Sequence, residues 1–286
     1  MKASGRAGSF AFLAAGYKSV EAVAAEVEEV ASTGLVYGVN VFVPGAVPDA
    51  AGVRGYRREL QAEYDRFGVE PPDLVLDDDD SFGAKVDLLA DLVPPVVSFT
   101  FGVPPANVVR RLRLRGSEVV ITVTCADEAR AAVEAGAHAL VAQGGQAGGH
   151  AATMHPERYT GTRTTREVLA EVSAAADLPV IAAGGVGTAD DVRSLLGAGA
   201  AAVQCGTLFL ASDEAGTRSV HVDALLTHRD RATVVTRAFT GHPARALVNR
   251  FTETYSGSAP VGYPTVHHLT AHRSVRRPPR REMPSR

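Results

Sequence analysis

One histidine, His150, closes the segment Val141–His150, which reads VAQGGQAGGH. Imidazole titrates near neutral pH, so a histidine presented to a ligand can take a proton from a carbon acid. The glycines at 144, 145, 148 and 149 leave little side chain between backbone and solvent, which lets the main chain approach a flat or phosphorylated molecule closely. Gln143 offers both a donor and an acceptor to the edge of a heterocycle. The competing reading is a loop histidine bonded to backbone, and the residues by themselves leave both open.

Two further glycine turns lie downstream. In Pro179–Thr188, PVIAAGGVGT, a buried strand is expected to stop at Gly184 and a helix to start near Thr188. The amides of a tight turn through Gly184, Gly185 and Gly187 then point outward beside a helix start, an arrangement that binds phosphate. In Ala202–Phe209, AVQCGTLF, another strand runs through Gln204 and Cys205 into Gly206 and Thr207. Either turn alone can be mere geometry, but two on consecutive units point to a phosphate site, because the loops after the last two strands of a β/α barrel often hold one. The spacing Gly184-Gly185-Val186-Gly187 is not GxGxxG, so it favours FMN or a sugar phosphate over a dinucleotide. Asn40 sits inside the apolar run YGVNVFVP, where a buried amide must find partners; it either bonds a neighbouring strand or presents its amide to a ligand.

Other chemistries find no support. The remaining histidines show no HExxH or similar ligand spacing, no GxSxG elbow is present, and no metal site is expected. Cys125 and Cys205 lie in or just after apolar runs and read as structural thiols. Net charge is −3 with no basic face in the body of the chain, which argues against nucleic acid as a partner. No apolar run reaches about 18 residues and the N-terminus does not resemble a cleavable signal, so no membrane contact and a cytoplasmic location are expected. The oligomeric state is not legible.

Groups of this kind need a rigid frame. Short runs rich in Val, Ile, Ala and Phe alternate with segments of helical spacing, the βαβα pattern of a parallel sheet buried on both faces. Strands are expected at Phe10–Ala15, Val36–Val43, Val96–Phe101, Val119–Val123, Ala139–Ala142, Val180–Ala183 and Ala201–Gln204. Helices are expected at Ser19–Ala31, Ala50–Phe67, Ala126–Ala135, Thr165–Ala175 and Thr188–Leu196, and a solvated loop or short covering element at Glu70–Lys85. The fold class is therefore α/β, a (β/α)8 TIM barrel of which seven βα units are visible and one strand is missing from the front. One barrel domain is expected over 1–270, and the Arg- and Pro-rich segment 271–286 reads as a disordered basic tail.

These motifs carry a family resemblance. FLAAGY at 12–17, GVNVFVP at 38–44, VAQGGQAGGH at 141–150, VIAAGGVGT at 180–188, VQCGTLFLASDE at 203–214, TRAFTGHPARALVNRF at 236–251 and YPTVHHLT at 263–270 resemble the nitronate monooxygenases, also called 2-nitropropane dioxygenases. The resemblance implies an FMN-containing barrel that oxidises alkyl nitronates with molecular oxygen. It implies FMN contacts at Asn40, Gln143, Gly148, Gly184, Gly185, Gln204, Cys205, Gly206 and Thr207, with His150 as catalytic base or as the group that positions the nitronate. Departures from the family pattern are an absent leading Pro-Met-Ala-Gly strand, an Arg/Pro-rich segment where a last helix is usual, Gln146 at a commonly acidic position and Ala151 in place of an Arg. They lead to the expectation that the chain as written binds FMN weakly or not at all. Two alternatives accompany this reading: an FMN-dependent enoyl-thioester reductase using NAD(P)H, and an inactive truncated remnant.

Overall fold

The computed structural model describes residues 2–228 and 230–271. In chain order the strands are β1 (Ala11–Ala14), β2 (Tyr37–Phe42), β3 (Val96–Thr100), β4 (Glu118–Val123), β5 (Ala139–Gln143), β6 (Gly149–His150), β7 (Val180–Ala183), β8 (Ala202–Gln204), β9 (Thr233–Thr236) and β10 (Ala244–Leu247). The helices are α1 (Lys2–Arg6), α2 (Val20–Ala31), α3 (Ala50–Glu59), α4 (Gln61–Phe67), α5 (Phe82–Leu92), α6 (Ala106–Arg115), α7 (Ala126–Ala135), α8 (Thr165–Ala175), α9 (Ala189–Gly197), α10 (Ser219–Thr227), α11 (Arg250–Tyr255) and α12 (Thr265–Ala271). Two compact units result, one of Met1–Gly45, Asp79–Val235 and Ala244–Val248, the other of Ala46–Asp78, Thr236–Pro243 and Asn249–Arg286.

The first unit carries the expected sheet. Seven parallel strands pair in the order β1-β2-β3-β4-β5-β7-β8, with Val39 opposite Val97, Phe99 opposite Ile121 and Val141 opposite Ile181. Val39, Val41, Val97, Phe99, Ile121, Leu140 and Ala142, at alternate positions along their strands, are each 1% exposed or less and share one core with the buried sides of the helices. Among the described residues no pairing joins β8 to β1, so the architecture is that of a TIM barrel with seven strands in the sheet.

Local chemistry fixes the helix ends. Ser19 caps α2 by accepting from the Ala22 amide at 3.2 Å, and Thr164 with Glu167 and Thr188 with Asp191 close reciprocal capping boxes on α8 and α9. The ends of α6 and α7 turn through Gly116 (φ 105°) and Gly136 (φ 95°), a left-handed geometry suited to glycine.

Three expectations change. The helix expected over Ala50–Phe67 breaks at Leu60 into α3 and α4. The stretch Glu70–Lys85 is not all solvated loop. Its end forms the start of α5, where Lys85 is fully buried 2.8 Å from the Asp80 carboxylate and Asp79 accepts from the Ser81 amide at 2.9 Å. Asp79 and Asp80 thus act as turn and pairing groups. Helix α6, ANVVRRLRLR, was not foreseen because its buried side holds only Val109 and Leu112 among four arginines.

In the second unit Val53, Tyr56, Leu60, Tyr64, Phe251, Tyr255, Val266 and Leu269 form the core. The hydroxyls of Tyr56 and Tyr64 donate to the carbonyls of Ala238 (2.7 Å) and Leu269 (3.0 Å), so both rings are buried without stranding a polar atom. Buried Glu63 pairs with Arg250 at 2.6 Å, and His268 lies 2.7 Å from Asp78. Of the basic tail expected at 271–286, all but Ala271 lies outside the described residues.

Candidate functional site

Strand β5 delivers Gln143 to the carboxyl end of the sheet, and the chain then loops through Gly144–Gly148 into the short strand β6. The Gln143 side chain folds this loop: its Nε2 donates to the His150 carbonyl at 3.2 Å and its Oε1 accepts from the Ala152 amide at 2.7 Å. Its amide is thus engaged inside the loop first, with one N–H and one lone pair remaining among the described residues. The glycines have equally local reasons. A Cβ on Gly144 would lie 2.4 Å from the Thr165 Cα, and one on Gly145 would lie 2.1 Å from the Gly161 carbonyl oxygen. Both positions are held by protein backbone, which cannot yield, so these two glycines serve loop packing.

His150 is half-buried and stands in β6 opposite Ala244 of β10. Its ring meets Phe101 edge-on at 5.4 Å, Phe101 lies 4.5 Å from Phe42, and Phe42 lies 5.7 Å from Tyr17. Tyr17, Phe42 and Phe101 stand at or just after the carboxyl ends of β1, β2 and β3, where barrel enzymes place their chemistry, and His150 joins them from β6, beyond the end of β5. Tyr17 (φ 64°) and Phe101 (φ 74°) are held in the left-handed region, costly for bulky residues and characteristic of functional sites. Sequence reading missed this aromatic row. The available signal was an aromatic residue at or just after the last position of successive parallel strands, which reads equally well as core.

Asn40 takes the neighbouring-strand option, its Nδ2 donating to the hydroxyls of Ser98 and Thr100 on β3, each at 2.9 Å. Both amide hydrogens are used, and among the described residues its Oδ1 receives no donor. That oxygen is an acceptor aimed away from β3.

The two downstream turns meet the histidine loop. A Cβ on Gly148 would lie 2.4 Å from Thr207 Oγ1, and one on Gly185 would lie 2.8 Å from Gln146 Cβ. Gly184 (φ 111°) and Gly185 (φ 67°) require the glycine backbone. The start of α9 differs from expectation. Asp191 Oδ2 accepts from the amides of Gly187 (3.0 Å) and Thr188 (2.8 Å) and from the Thr188 hydroxyl (2.8 Å). The Thr188 hydroxyl, then these amides, hold the Asp191 carboxyl below its ordinary range. The helix's own carboxylate occupies the Gly187 amide, one of the three expected to face a phosphate. Among the described residues the amides of Gly184, Gly185, Gly206 and Thr207 keep no backbone acceptor outside the regular elements. Gly206 opens on free space and Gln204 is exposed. Burial, then the Asp191 charge, pushes the Cys205 thiol up, so it stays protonated at neutral pH.

The donor set fits FMN: four amides on adjacent turns that, among the described residues, have no backbone acceptor outside the regular elements, for a phosphate; an oriented acceptor at Asn40 for a heterocycle N–H; and flat rings beside the histidine. Every group stands on the carboxyl end of one parallel sheet, the layout of a β/α-barrel enzyme. The chain belongs to the nitronate monooxygenase family, whose model matches residues 2–280. It is accordingly a flavin-dependent oxidoreductase of that type. A nitroalkane oxidase from Streptomyces ansochromogenes is similar at 42% identity and a TM-score of 0.88, the match covering 94% of this chain and 78% of that one. A probable nitronate monooxygenase of Staphylococcus aureus (strain MSSA476) is 32% identical over 277 residues, 92% of this chain and 76% of the relative. FabK from Thermotoga maritima is 28% identical with a TM-score of 0.67, over 89% of this chain and 68% of that one. Among the described residues no helix is long and apolar enough to cross a membrane, and no group of three His, Cys, Asp or Glu could hold a metal ion.

Proposed function

We propose that this enzyme binds FMN and oxidises alkyl nitronates with molecular oxygen. The observation that carries the proposal is the meeting of Gly148 with Thr207 and of Gln146 with Gly185, which makes the histidine loop and both glycine turns one surface. Gly184, Gly185, Gly206 and Thr207 would hold the FMN phosphate through backbone amides, with Gln204 and Cys205 leading the chain into the second turn. Asn40 Oδ1 and the remaining N–H of Gln143 would meet the heterocycle, and Gly148 would keep a side chain out of its way. FMN, when bound, would supply the two-electron redox chemistry that side chains lack.

His150 acts on the substrate. As a free imidazole it takes the carbon-bound proton of a neutral nitroalkane, and as imidazolium it donates a hydrogen bond to a nitro oxygen of the resulting nitronate. The edge of Phe101 limits how the ring can turn, and the Phe42–Tyr17 row offers an apolar wall to the alkyl group. A small nitronate and oxygen are then the only partners the reaction requires.

The second reading, an FMN-dependent enoyl-thioester reductase, differs in needing NAD(P)H. Loading the purified chain with added FMN and mixing it anaerobically with propane-2-nitronate or with NADPH separates the two. Bleaching by the nitronate alone is the expected result; rapid bleaching by NADPH would overturn the proposal.

A further inference from the structure

Glu128 stands in the first turn of α7 and is 1% exposed, yet all four donors on its carboxylate are neutral. Oε2 accepts from the Thr124 amide at 2.5 Å and the Thr124 hydroxyl at 2.9 Å. These two bonds complete the turn between β4 and α7 and are a purely local matter. Oε1 does something else. It reaches across to the segment that leaves His150 and accepts from the Thr153 hydroxyl and the Met154 amide, both at 2.8 Å.

The loop is therefore fastened at two successive points. Gln143 holds the carbonyl of His150 and the amide of Ala152, and Glu128 holds the next two residues. Thr153 has no rotational freedom left, since its hydroxyl donates to Glu128 and accepts from the His155 amide at 3.0 Å. A carboxylate out of water is costly unless every lone pair is met, and a helix start needs only one acceptor oxygen. The second oxygen is committed to the loop.

We infer that Glu128 is a positioning residue for the reaction, fixing the backbone on which His150 is presented. This rests on the assignment of His150 as the group that meets the substrate. Substitution by glutamine isolates the role. An amide that keeps its oxygen toward Thr124 turns its NH2 toward the Met154 amide, so the helix start survives and the cross-loop bond becomes a donor–donor clash.

The test compares wild type with Glu128→Gln, Thr153→Val and Thr153→Ser, each titrated with FMN, by hydrogen–deuterium exchange and by turnover of propane-2-nitronate. In Glu128→Gln and Thr153→Val, exchange over 143–155 should rise about tenfold or more while that of β2 to β4 holds, as loss of a charge-assisted hydrogen bond implies. Their kcat at saturating FMN should fall about 100-fold, as for a misplaced reacting group. Thr153→Ser, which retains the hydroxyl, should behave as wild type. Wild-type exchange over 143–155 in Glu128→Gln, or faster exchange with undiminished kcat, would overturn the inference. If the wild-type chain leaves the nitronate untouched, the enzymatic proposal falls, and the exchange comparison still decides whether Glu128 holds the loop.

Discussion

At the scale of single residues, the site is made by side chains that first satisfy the protein and then have one atom to spare. Asn40 shows this plainly: its two N–H bonds to Ser98 and Thr100 aim its oxygen. Replacing Asn40 with leucine should weaken FMN binding by about 10- to 100-fold, the loss of one hydrogen bond to the heterocycle, measured by fluorescence titration. His150→Asn should lower nitronate turnover by about 10²- to 10⁴-fold, the usual span for a general base, with FMN affinity unaltered. Full turnover in that variant would remove His150 from the chemistry. Most of the candidate residues stand out in the sequence because glycine and histidine are conspicuous. Their local duties do not, because a one-dimensional pattern cannot show that the space beside Gly145 is filled by the carbonyl of Gly161.

At the scale of elements, the seven strands of the parallel sheet could be read to within a residue, whereas β6, β9 and β10 were not foreseen. Val180–Ala183 is found as expected, and Phe10–Ala15 is realised as Ala11–Ala14, since a buried parallel strand needs an unbroken apolar run and these runs have no other use. Helices were read well where one side is apolar and a capping residue precedes it, as at Ser19 and Thr188. Helix α5 was lost behind an acidic run whose last members proved to be partners of Lys85 and Ser81. The start of α9 yields a prediction with a definite sign. The Asp191 carboxyl is held below its ordinary range, so its contribution to the folded state is complete above that range and disappears as pH falls through the lowered value. The thermal midpoint of Asp191→Ala should lie below that of wild type at neutral pH, and the two should converge in acid. A gap that survives in strong acid would show that the charge is not what caps the helix.

At the scale of the molecule, the seven-stranded sheet is what gives the histidine loop, the two glycine turns and the aromatic row a common frame. Leu140, fully buried on β5 between β4 and β7, ties the centre of that sheet to its helices. Leu140→Ala should reduce stability by about 2–5 kcal/mol, read from urea unfolding followed by circular dichroism. A loss below 1 kcal/mol, about that of a conservative exchange, would mean that the core collapses around the gap. The division into two units was not legible, because the second draws its core from segments as distant as Tyr56 and Leu269, and no local pattern records which of many apolar residues will meet.

The strained backbone at Tyr17 and Phe101 bears on how the protein can change over generations. Glycine or asparagine would adopt those left-handed angles at about 1–2 kcal/mol less. A population selected only for survival of heat should therefore accumulate Tyr17→Gly or Tyr17→Asn, whereas one selected for nitronate turnover should retain the rings at both positions. If both lineages kept the aromatic residues equally, the row would belong to folding and not to catalysis.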